Sequence, residues 1–328
     1  MRRYLPAALL LIAIVAATAV SGQRRTRAPL GAPEIDAIAT LLKLEDARTF
    51  DEPALARILG SPHPEVRRRA AQSVGRIADK RGAALLDIAR TDRDVEVAAT
   101  AAWAAGQLRD PAAVGWLSDA LMAPATAAAV TREAAIALGK IQAPEARAAL
   151  TRYLSGAPSA KAAAPTVGEA LLSLGRHPAD GHLEPILKWI SSPEVEVRWR
   201  ATWALVRPRN PAALPHLLRL SQYRSADVRY WAVRGLIPYP DVDPSAAAAR
   251  LRAAVADTDR QVRTEALRAL AQHGDDESFA VVVKMLDLPT RGSRFQPPKQ
   301  WLAFRHARMS SCRGWSPRPA PTARRHSV

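Results

Sequence analysis

The side chains best equipped to hold a ligand crowd into one stretch of the chain. Trp199 and Trp203 stand four residues apart with Arg200 and Arg207 beside them, and Tyr230, Trp231 and Arg234 repeat the mixture further on. Residues four apart on a helix share a face, so the two indoles are expected to stack along one wall of a groove. Trp103, Arg132 and Arg268 extend the same column on other helices. Trp, Tyr and Arg dominate binding hot spots, and the chemistry they offer is the gripping of an extended peptide or a partner helix. The competing reading is that the tryptophans fill gaps between packed helices, because indole is amphipathic and often part-buried.

Chemistry that makes or breaks bonds is not written in the same way. The chain has no G-x-S-x-G, H-E-x-x-H, Walker loop or G-x-G-x-x-G. Its single cysteine, Cys312, has no partnered base nearby. His177, Asp180 and His182 are the one cluster with metal-ligating chemistry, but they lack a third histidine and read as a polar turn ahead of a helix. Arg67-Arg68-Arg69 is a possible phosphate-binding run. It reads better as one structural arginine with two solvated neighbours. No cofactor, no metal and no enzymatic activity are expected.

The elements that must position these groups are helices, and they repeat. PEVRRRAAQSVG (64–75) is followed by variants at 94–106, 128–139, 165–175, 194–206, 226–237 and 260–271. Each carries an anchor (Val66, Val97, Val130, Thr166, Val197, Val228, Val262), an alanine at +4 (Ala70, Ala101, Ala134, Ala170, Ala201, Ala232, Ala266) and an apolar or small residue at +8. That spacing draws one narrow stripe down a helix. An alanine column lets neighbouring backbones approach closely. A period in the low thirties is the mark of a stacked helical array, in which no hairpin buries its stripe alone.

The first helices of the pairs fall at 82–90, 111–121, 144–154, 182–190, 211–220, 245–255 and 277–286. A helix from Pro33 caps the start, and Asp51 N-caps the helix EPALARILG. Most prolines lie in the links, where they end one helix and open the next. Two do not fit: Pro215 is expected to kink its helix, and Pro165 to bring a bend or longer loop dividing the array into two halves.

The fold class expected is therefore all-α: an α-α superhelix of about seven hairpins. The flanks are a signal peptide (1–22), a flexible linker (23–32) and a disordered basic tail (288–328), around a solenoid at 33–287. Arg2 and Arg3 precede a short apolar run, Leu5–Val20, with small-residue cleavage options after it. An exported protein of the periplasm or cell envelope is expected, touching membrane only if that segment stays uncleaved. The net charge of +16 sits at the ends: five arginines before residue 28 and nine Lys/Arg from residue 291 on, with no acid in either. The body between carries only about +2, too little for a duplex-binding surface. A protein or peptide is the expected partner, nucleic acid is not, and the protein is expected to be monomeric. Binding of an anionic surface through the tail is the weaker alternative. The tail's abrupt loss of period is read as a possible frameshift or truncation, with a genuine basic tail as the rival.

The V-R-x-x-A-A-x-x-L-G helix with acidic links resembles HEAT repeats, most closely the short bacterial type also named after phycobilisome lyases, over about residues 33–287. The resemblance implies an architecture and a scaffold or adaptor role, not a reaction. It also implies a ladder between repeats, made by the arginine after the anchor (Arg67, Arg198, Arg229, Arg263) and an acid in the link, for which Glu65, Glu194, Asp227 and Asp259 are the candidates. Ala98, Thr131 and Val167 interrupt it. The opening LLKLEDARTFDEPALARILGSPHPEVRRRAAQSVGRIAD is similar to the start of exported bacterial HEAT proteins that carry a cyclophilin-type peptidyl-prolyl isomerase domain, which this chain lacks. That likeness implies the substrate- or partner-binding module of such an isomerase.

Overall fold

The repeats are helix pairs whose second helices carry the anchors, and the first helix is the shorter of the two except where Pro144–Gly156 precedes Ala164–Leu174. The computed structural model describes residues 29–177 and 183–286. Among them there is no strand, and no helix is long and apolar enough to cross a membrane. The chain divides into two compact units, residues 1–150 and 151–328.

In the first unit a capping helix α1 (Ala32–Asp46) precedes three pairs: α2 (Glu52–Leu59) with α3 (Pro64–Ile77), α4 (Ala83–Ala89) with α5 (Val95–Leu108), and α6 (Val114–Met122) with α7 (Ala128–Lys140). The second helices pack in sequence, α1 on α3, α3 on α5 and α5 on α7. Helix α8 (Pro144–Gly156) spans the boundary. The second unit continues with α9 (Ala164–Leu174), α10 (Leu183–Leu187) with α11 (Val195–Val206), α12 (Leu214–Leu220) with α13 (Ala226–Gly235), α14 (Ser245–Ala254) with α15 (Arg260–His273), and α16 (Asp276–Leu286). Again α9, α11, α13 and α15 follow one another side by side.

The alanine column is the seam of this packing. All seven +4 alanines have 0% of their surface exposed, and the anchors and +8 residues are buried with them. A second column, at +7, is missing from the expected stripe although its residue types are as regular: Ser73, Ala104, Ala137, Ser173, Ala204, Gly235 and Ala269 are all small and buried. Glycines at +9 meet that column from the preceding repeat. A Cβ on Gly75 would stand 2.9 Å from the Cα of Ala104, one on Gly106 2.8 Å from the Cα of Ala137, and one on Gly175 2.9 Å from the Cα of Ala204. The closest backbone approach thus uses both the missing Cβ of glycine and the short side chain opposite it.

The ends of the second helices are also repeated devices. Ala78, Arg109, Arg209 and Gly274, each twelve residues after an anchor, take the left-handed conformation. In each case the next residue caps the succeeding segment: Asp79 accepts from Arg81 N, Asp110 from Ala112 N, Asn210 from Ala212 N and Asp275 from Ser278 N. In three cases the capped segment is a single 3-10 turn (Lys80–Gly82, Pro111–Ala113, Pro211–Ala213), so the first helix is divided rather than continuous. This corrects the expected kink at Pro215. The proline lies in the first turn of α12, where no intrahelical bond is lost. Pro165 likewise opens α9 after the turn Lys161–Ala163 and does not bend it. Asp51 caps α2 as expected, through Ala54 N. The signal segment 1–22, most of the linker, and the tail from 288 lie outside the described residues.

Candidate functional site

In the second unit, helices α11 and α13 bring the aromatic and basic residues together on one exposed side. Trp199 stacks on Trp231 with ring centroids 6.2 Å apart and planes 19° from parallel, and Tyr230 meets Trp231 edge-on at 5.1 Å. Arg200 lies 5.3 Å from the Trp199 ring and Arg234 5.4 Å from that of Trp231. Each cation on an indole is worth about 0.5–1 kcal/mol or more as its surroundings become drier. The polar ends are tethered: Trp199 Nε1 donates to Glu196, Arg200 to Glu169, and Arg234 to the Tyr230 hydroxyl. Beyond them Arg268 pairs at 2.8 Å with Glu265, itself only 4% exposed, while Arg207 is exposed and makes no ion pair among the described residues. The platform is therefore aromatic in the middle, with Arg234 and Arg268 about half-exposed beside it and Arg200 largely buried.

The expected stacking of Trp199 on Trp203 is not what forms. Trp203 leans instead over Gly175, whose added Cβ would lie 2.8 Å from the indole ring. Four-residue spacing gives the two tryptophans a common face, but the bare glycine of the preceding repeat draws one ring back while Trp231 of the following repeat takes the other. Trp103, three repeats earlier and at the same +6 offset, does the same over Gly75, at 2.6 Å. Trp103 and Trp203 thus fill the space over a glycine of the preceding repeat, whereas Trp199 packs on Trp231 of the following one.

In the first unit Trp103 borders a cleft of about 220 Å³ whose other walls include Arg68, Gln72, Glu96 and Arg132. With the Gln107 amide turned to accept, its oxygen lies 3.1 Å from Trp103 Nε1 and 2.6 Å from Lys140 Nζ. Arg132 is exposed and makes no ion pair among the described residues. Arg68 and Arg69 both reach Glu65 on their own helix, at 2.6 and 3.0 Å, so they are partnered rather than merely solvated.

Arg67 is the structural member of that run, and the ladder it belongs to uses different acids from those expected. Its Nε and Nη2 bond both oxygens of Asp92, and its Nη1 bonds the carbonyls of Ser61 and Pro62. Arg229 repeats this with Asp257 and the carbonyls of Tyr223 and Arg224. Each acid stands five residues before the next anchor, inside the link, and also accepts the amide two residues on, Asp94 N or Asp259 N. The arginine holds each carboxyl below the ordinary carboxylate range, and the carboxylate raises the arginine in turn. Of the acids expected, Glu65 serves its own helix and Asp259 caps α15. Arg198 and Arg263 bond the link carbonyls in the same way, Ser192 with Pro193 and Asp257 with Thr258, but neither reaches an acid among the described residues.

His177 is buried, whereas Asp180, His182 and Cys312 lie outside the described residues. Among the described residues no group of His, Cys, Asp or Glu is placed to hold a metal ion.

Solved structures are similar to this chain at low identity. Escherichia coli YibA is 15% identical, with 79% of this chain and 92% of that one covered and a TM-score of 0.53. The complex of CpcE and CpcF of phycocyanin lyase from Nostoc sp. PCC7120 gives 21% identity, 74% and 96% coverage and a TM-score of 0.43. Human deoxyhypusine hydroxylase in complex with glycerol gives 22%, 76% and 93%, and 0.35. Of these three only YibA exceeds a TM-score of 0.5, and at 15% identity that likeness concerns the fold alone. No curated protein sequence matches the chain. The family model for HEAT repeats matches residues 82–165, 160–237 and 219–294. With well over half of its length so matched and a described structure of stacked helix pairs, the chain belongs to the HEAT-repeat proteins.

Proposed function

We propose that this protein is a non-catalytic HEAT-repeat adaptor of the cell envelope that binds a protein or peptide on the exposed side of its second helices. The observation that carries this is the Trp199–Trp231 stack, which joins two repeats through half-buried rings flanked by Arg200 and Arg234. The two helices also meet away from the stack, where a Cβ on Gly235 would stand 2.7 Å from Val206 Cγ2. Half-exposed aromatics with neighbouring guanidinium groups are the usual anchors of a binding surface.

The experiment is recovery of the partner from envelope extract by wild type, by Trp199→Ala with Trp231→Ala, and by Trp203→Ala. Recovery falls with the first variant and persists with the second; equal recovery by all three overturns the reading. Export is tested by fusing residues 1–28 to a reporter active only outside the cytoplasm. A second reading, in which the repeats serve a cyclophilin-type isomerase, takes its support from the opening segment's likeness to such fusions. Genomic sequence past codon 288 without an isomerase in any frame removes it.

A further inference from the structure

We propose that Arg198 and the backbone amide of Ser225 form a receptor site for a small carboxylate anion. The complete rungs supply the comparison. Arg67 and Arg229 each direct Nε and Nη2 at a link aspartate, and that aspartate also takes an amide from the start of the next helix. The link position is fixed by carbonyl bonds. Arg263 Nη1 binds Asp257 O and Thr258 O, and Arg229 Nη1 binds Tyr223 O and Arg224 O in the same pattern. Tyr223 therefore occupies the backbone position of Asp257, and its side chain has no carboxylate to offer.

Arg198 is otherwise set up like its counterparts. Its Nη1 bonds Ser192 O at 2.8 Å and Pro193 O at 2.9 Å, so the guanidinium is locked in the ladder orientation. The residue is only 9% exposed, and its Nε is buried without an acceptor. Ser225, which precedes α13 and stands where Asp94 and Asp259 stand, has an amide with no acceptor among the described residues. In the two complete rungs, the donors in these places converge on one carboxylate. A buried guanidinium without a counter-ion is costly, and a planar two-oxygen anion matches its fork. The site thus takes from solution what the other rungs take from the chain.

The probe is formate. Wild type, Tyr223→Asp and Tyr223→Phe are melted in about 200 mM sodium formate and in sodium chloride of equal strength, where millimolar binding gives a rise of about 4 °C. Wild type and Tyr223→Phe are expected to show the rise. Tyr223→Asp, which supplies the carboxylate covalently, is expected to melt higher in chloride and show no further gain. No formate-specific rise in wild type, or a rise retained in Tyr223→Asp, overturns the proposal. Should Tyr223→Asp not fold, saturation transfer to the formate proton decides. Transfer in wild type that is lost in Arg198→Gln supports the site; none in wild type, or survival in Arg198→Gln, refutes it.

Discussion

Replacing Gly106 with alanine tests the packing seam where two opposed effects have known sizes. Alanine in place of glycine inside a helix gains about 1 kcal/mol from propensity alone. Against this, the new Cβ would stand 2.8 Å from the Cα of Ala137 and 3.0 Å from its Cβ, so the nearest obstacle is backbone that no rotamer change can clear. Helices α5 and α7 must part by roughly half an ångström to restore ordinary contact, and the buried Ala98, Ala99 and Val130, which cluster between them, lose contact as they do. Overpacking of this kind costs about 1–3 kcal/mol. With backbone as the obstacle the upper part of that range applies, leaving a net loss of about 1–2 kcal/mol after the propensity gain. The melting temperature should fall by roughly 2–8 °C for a chain this size. Gly115 in α6 is the control, because a Cβ there meets nothing within 4 Å. Its first-turn position leaves about half the propensity gain, so Gly115→Ala should rise by about 1–2 °C. Circular dichroism melts give the sign. Hydrogen exchange at α5 and α7 localises it, since neighbour-coupled repeats can melt in parts. If Gly106→Ala is as stable as Gly115→Ala, the seam is not the close contact described.

Asp92→Asn with Asp257→Asn should cost about 3 kcal/mol per rung at neutral pH, because each leaves a largely buried guanidinium without its counter-ion. Their folded pKa values are depressed, so the rung contribution is complete above the unfolded carboxyl range and is lost as pH falls through the lowered values. Urea melts from pH 7 down to the acid limit should therefore show a shallower acid slope in the double variant; parallel slopes would contradict the rung assignment. Trp203→Ala should lose about 2 kcal/mol by opening a gap over Gly175, and Trp199→Ala less than about 1 kcal/mol. Paired melts check that order, and its reversal would exchange their roles. Arg109→Gly should gain about 0.5–1 kcal/mol by relieving a left-handed conformation that Gly274 adopts without strain. A loss in thermal unfolding would mean that the Arg109 side chain matters more than its backbone.

What the residues disclose by themselves is whatever depends on position along one helix. Val66 and Ala70, and their six later counterparts, mark burial directly because a helix turns at a fixed rate. What they hide depends on the neighbouring repeat. Asp92 is hard to recognise as the partner of Arg67 because Glu65 is far nearer in sequence, while the link folds the distant acid back. The orientation of Trp203 is decided by the absence of a side chain at Gly175, which no feature of its own helix reveals, and so its spacing from Trp199 misleads. The divided first helices were legible in retrospect: Asp110-Pro111-Ala112-Ala113 and Asn210-Pro211-Ala212-Ala213 spell the same cap and turn twice.

The same separation of positions has an evolutionary corollary. Offsets 0, +4, +7 and +8 are closed against the neighbouring helices, whereas +2 and +3 on α11 and α13 remain open to the surroundings. Trp199, Tyr230 and Trp231 can therefore drift toward a new ligand preference at little penalty to folding, and duplication of a hairpin would copy the scaffold intact while leaving its vocabulary free to diverge.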